Sequence, residues 1–157
     1  MAGEPPEVLH LLNGADRFGE HHSLGTSTID VKLAGRDTGE SVLIIEHTSR
    51  AHGGPARHLH HGQEEWFHAL EGEFVVEVGE QRFHLSPGDS VLAPRGVPHV
   101  WAHTQGETGR MLMAFVPAGK MEAFFSEVGK TGAMPRPDPD LWRAHGMELI
   151  GPPLKIA

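Results

Sequence analysis

The sequence contains no cysteine, which removes disulfides, thiolate metal ligands and cysteine nucleophiles from its chemistry and fits a reducing compartment. No unbroken apolar run exceeds Met111–Val116, far short of the roughly 20 residues that a transmembrane helix needs. The N-terminal MAGEPPEVLHLLNG has neither a basic leader nor a long apolar core, so no signal peptide is expected. The expected product is a soluble, cytoplasmic protein. Positive charge is scarce as well: 13 Lys and Arg against 21 Asp and Glu give a net charge of −8. That field has the wrong sign for a nucleic-acid backbone or an anionic membrane, so neither is expected as a partner. No DNA-binding segment is expected on either side of the central pattern, which disfavours a helix-turn-helix regulator. The 157 residues suit one domain with a proper core and are too few for two typical ones.

What the chain has in quantity is turn residues, 20 Gly and 12 Pro, which point to many short strands rather than to disorder. Residues 1–25 read as a lead-in segment in which Val8, Leu9, Leu11 and Leu12 suggest a short strand packed on the barrel or on a second subunit. His10, His21 and His22 within it read as solvated surface. Strands are expected at Thr28–Leu33, Ser41–Thr48, Glu65–Leu70, Phe74–Val78, Gln81–Leu85, Ser90–Ala93 and Arg110–Val116. Leu70–Glu73 reads as a turn and Thr104–Gly109 as a polar loop. Residues 26–117 form the barrel in this reading, and 118–157 a helix with a Pro-rich tail. Met121, Phe124, Phe125 and Val128 carry the stripe of an amphipathic helix that packs on the barrel, and Asp140–His145 reads as a second short helix. The whole is an all-β, double-sheet jelly roll with a short C-terminal helical segment.

The chemistry lies in HLHHGQEEWFHALEG, His58 to Gly72. In an extended segment His58 and His60 fall on one face, and Glu65 follows five residues after His60. Two imidazoles offer neutral nitrogen ligands to a transition metal, and the carboxylate adds a charged oxygen. His99, in GDSVLAPRGVPH, would be the fourth ligand. Iron, nickel, manganese, cobalt, copper and zinc all suit three imidazoles and one carboxylate.

These residues resemble the cupin superfamily. Its first motif, from the first His onward, is met by His58, His60, Glu65 and Gly72, and its second by Gly88, Pro94, Gly96 and His99. The sequence departs from the pattern at His52, where the first motif opens with Gly, and at His103, where the second closes with Asn. The resemblance implies a cupin barrel, that is, a double-stranded β-helix, holding one divalent metal. Among small single-domain cupins, the run GGP…HxHH…E…LEG and the later PAGKMEAFFSEVG…GPP look most like bacterial flavonol (quercetin) dioxygenase-like proteins. That likeness implies oxidative ring opening of an aromatic enol, with Glu65 also serving as the base that removes the enol proton. A metal-dependent isomerase, lyase or hydrolase, with Glu65 or His103 as proton carrier, and a non-catalytic small-ligand binder remain as alternatives. His103 is expected to face the pocket, either as a further ligand, as a donor or proton carrier near substrate, or as a packed core residue. Trp66, His68 and Leu70 face away from the ligands and are unusually apolar for a solvent face, which suggests a homodimer.

Overall fold

The computed structural model describes residues 7–134 and 136–156; the first six residues of the expected lead-in lie outside that range. The chain folds as β1 (His22–Leu24), β2 (Ser27–Leu33), β3 (Leu43–Ser49), β4 (Arg57–His60), β5 (Glu64–Val78), β6 (Gln81–Leu85), β7 (Ser90–Ala93), β8 (His99–Val116), α1 (Met121–Val128), α2 (Pro139–Ala144) and β9 (Met147–Gly151). The strands pair antiparallel in the order β1-β2-β3-β8-β4-β9, while β5 joins β8 and carries β6 and β7. This is the expected jelly roll with its short helical segment. Among the described residues no helix is long and apolar enough to cross a membrane.

The two longest strands run through stretches expected as connections. The turn expected at Leu70–Glu73 and the loop expected at Thr104–Gly109 both lie inside long strands, β5 and β8. Gly72 (φ 75°) and Gly106 (φ 98°) adopt left-handed backbone in these stretches, and the β5–β8 register shifts between Ala69 and Phe74. A Cβ on Gly72 would sit 2.8 Å from the Thr108 carbonyl oxygen. The two backbones therefore approach closely and turn a corner together without ending their ladder. Each long strand thereby serves both sides of the barrel.

Alternation decides which side chains enter the barrel. On β5, Glu65, Phe67 and Ala69 are buried, while Trp66, His68 and Leu70 are half-buried on the outer face. The α1 stripe Met121, Phe124, Phe125 and Val128 joins the same core as Ile29, Ile45, Phe67 and Phe115. Helix α2 begins where Asp138 caps it, its Oδ1 accepting from the backbone N–H of Asp140 (3.1 Å) and Leu141 (3.3 Å). Strand β9, which the sequence reading did not anticipate, then pairs with β4. Strand β9 thus belongs to the barrel wall. Val8–Leu12 form no strand: adjacent apolar pairs do not alternate, and Leu9, Leu11 and Leu12 lie in a groove beside Leu33, Ile44, Leu70 and Leu112.

Candidate metal centre

His58 and His60 project inward from β4, Glu65 from the start of β5, and His99 from the start of β8, directly opposite His58. All four are buried, and their ligand atoms lie within 4.8 Å of one another. The His60 and His99 rings are nearly parallel, 5.5 Å apart with 4° between their planes. Glu65 Oε2 lies 3.1 Å from His60 Nε2 and 2.7 Å from His99 Nε2.

Each histidine is held from behind. Nδ1 of His58 lies 2.8 Å from the Ala56 carbonyl oxygen, Nδ1 of His60 lies 2.9 Å from Gln63 Oε1, and Nδ1 of His99 lies 3.4 Å from the Val97 carbonyl oxygen. With Nδ1–H donating outward in every ring, all three Nε2 atoms turn to one point. That arrangement fits a metal, because each outward acceptor fixes the tautomer whose lone pair coordinates. Gln63 is the residue that the sequence reading missed here. Its Nε2 donates to the carbonyls of Pro117 (2.7 Å) and Ala118 (2.9 Å), so its oxygen must face His60. The signal was its place between the HxH pair and Glu65.

The electrostatics agree with this division of labour. Burial pushes Glu65 upward, but His99 and His60 outweigh it and hold the carboxyl below its usual range. Burial, with His99 and His60 alongside, pushes His58 down to about 3, so its ring stays neutral.

His103 is fully buried, but both its ring nitrogens face main-chain oxygens: Nδ1 lies 3.2 Å from Ala51 O and Nε2 2.9 Å from Gln105 O. Its backbone bridges Gly53 in both directions at 2.9 Å, and it does not line the central cavity. The geometry is that of a clamp on the loop Ala51–Gly54, which does line the cavity.

The ligand cluster opens into a cavity of about 310 Å³, within the range of small-molecule sites. Its wall is mainly apolar, with Ile45, Trp101, Met113, Phe115, Phe124 and Trp142 among its residues, and no Lys or Arg lines it among the described residues. Trp142 packs edge-on to His58, with ring centroids 4.9 Å apart, and its buried Nε1 has no hydrogen-bond partner among the described residues.

Residues 46–115 match the cupin domain family Cupin_2. A 53-residue stretch is 38% identical to human 3-hydroxyanthranilate 3,4-dioxygenase, covering 34% of this chain and 18% of that protein. The HTH-type transcriptional regulator PuuR of Escherichia coli K12 is 26% identical over 115 residues, 73% of this chain and 60% of the regulator. The chain thus spans less than two thirds of either relative. Among solved structures, an RmlC-like cupin from Shewanella frigidimarina superposes with a TM-score of 0.52 at 23% identity, covering 63% of this chain and 84% of that one. That likeness is one of fold.

Proposed function

Starting from a chain that carries a cupin domain over residues 46–115 and folds as a cupin jelly roll, we propose a metal-dependent dioxygenase acting on a small aromatic enol of the flavonol kind. The observation that carries this reading is a buried three-histidine, one-carboxylate cluster opening into an apolar cavity without a cationic side chain. Such a wall suits an uncharged aromatic body better than a sugar acid or a phosphate. The name of the human relative, a dioxygenase, supports the same class.

His58, His60, Glu65 and His99 would hold one divalent first-row metal. When bound, the metal would supply Lewis-acid polarisation of the enol oxygen and, if redox-active, electron exchange with dioxygen. Around it, the chain's own groups bind and orient. Trp101 and Phe115 would flank the aromatic body within the mainly apolar wall. Glu65 Oε2 lies beside Nε2 of His60 and His99, where it would join them as a ligand, while Oε1 makes no hydrogen bond among the described residues. Oε1 is therefore the atom that would accept the enol proton.

The test is elemental analysis of protein purified without a histidine tag, followed by oxygen uptake with a flavonol such as galangin. About one metal per chain is expected, with oxygen consumption abolished by chelation and by Glu65→Gln. A redox metal without oxygen uptake, or turnover that continues anaerobically, sinks the dioxygenase reading. The match to PuuR supports a second reading, a cupin that binds a small ligand without turning it over; binding without turnover in that same assay selects it.

The outer face of β5 supports a homodimer. Trp66 and His68 stack at 5.2 Å, Leu92 lies opposite Trp66 in the ladder and is 51% exposed, and a second copy placed over this row would cover it.

A further inference from the structure

Besides the ligand cluster, the cavity carries a second group of polar side chains on β2 and β3. On β3, Ile45, His47 and Ser49 alternate inward; Ser27 of β2 lies opposite Ser49, and Ile29 opposite His47. Ser49 and Ser27 are buried at 3% and 7% exposure. Ser49 Oγ lies 3.2 Å from His47 Nδ1, and the His47 ring stands edge-on to Trp101, with centroids 4.8 Å apart. Neither His47 Nε2 nor Ser27 Oγ has a hydrogen-bond partner among the described residues. The chain neighbours Thr26 and Ala51 are exposed, so this patch sits at the mouth.

From this placement we propose that His47, Ser49 and Ser27 form a second subsite that reads an uncharged hydroxyl at the far end of an elongated aromatic substrate. The inference rests on the metal-chelating enol reading of the other end. The chemistry follows from what these atoms can exchange. Burial, with His103 nearby, pushes His47 down to about 4, so the ring is neutral. If the Ser49 hydroxyl donates to Nδ1, then Nε2–H is a free donor. If Nδ1–H donates to Ser49 instead, Nε2 becomes an acceptor and the Ser49 hydrogen is released. The pair therefore offers either hydrogen-bond role by changing tautomer, and Ser27 adds a hydroxyl that does the same. A phenol or alcohol, which both donates and accepts, is the complement. A carboxylate or phosphate is not, because among the described residues the cavity lining holds no Lys or Arg to offset its charge. An apolar end group would bury these polar atoms unpaired, which is what makes the subsite selective.

The experiment compares anaerobic dissociation constants of the metal-loaded protein for kaempferol and galangin, two flavonols that differ by one hydroxyl on the pendant ring. Binding is followed by the flavonol absorbance band. The parent is expected to prefer kaempferol by about three- to tenfold, the worth of one hydrogen bond. That ratio should fall towards one in His47→Phe and in the smaller change Ser49→Ala, with metal content unchanged. Ser49→Ala keeps the test open if His47→Phe fails to fold. Metal-dependent binding of both flavonols without preference, or a preference that survives both variants, overturns the subsite while leaving the enol reading intact. Failure of the parent to bind either flavonol, with metal or without, overturns the enol reading and the subsite together.

Discussion

Gln63 has only one arrangement open to it. Two main-chain carbonyls take its amide hydrogens, so its oxygen is committed to His60, and His60 is committed to presenting Nε2 to the ligand cluster. Gln63→Leu should leave a buried N–H and two carbonyls unsatisfied and loosen the ring, weakening metal affinity by about 10- to 100-fold. Competitive titration with a chelator reads this directly; unchanged affinity would show that the ring is held by packing alone. His103 makes the opposite case. With its ring wedged between Ala51 O and Gln105 O, His103→Ala should cost about 2–3 kcal/mol of stability by urea denaturation while metal content holds. A His103→Gln variant of parental stability that loses turnover would restore the proton-carrier role instead. The four clustered candidate ligands could be picked out from the sequence because their spacing is local to two short stretches. The roles of Gln63 and His103 could not, since each depends on carbonyls that other strands bring in.

The same contrast holds for whole elements. The limits of β6 and β7 coincide with the sequence expectation, because alternation and the flanking turns are both local. The corner in β5 and β8 was not legible, since a glycine reads as a break whether it ends a strand or bends one. Strand β9 was missed because its partner, β4, lies far away in sequence. At the corner, Gly72→Val forces a branched side chain into left-handed backbone, and its Cβ against the Thr108 carbonyl. The expected loss is about 2–4 kcal/mol, read as a lower urea midpoint. An unaffected midpoint would mean that the corner relaxes freely.

For the molecule as a whole, the proposed homodimer would be built on the outer row around Trp66 and Leu92. Light scattering at micromolar concentration should report twice the 17.1 kDa chain mass, and Trp66→Glu should return a monomer that still binds metal. A monomeric parent would remove the dimer. Inside the barrel, β9 is stitched to β4, the strand that bears His58 and His60, and Trp142 leans on the His58 ring. During synthesis this imposes a timetable. A nascent chain that has left the ribosome only as far as β8 already carries all four candidate ligands, yet lacks the strand and the indole that support two of them. A metal held by this cluster would therefore find its full support only once α2 and β9 have joined the barrel.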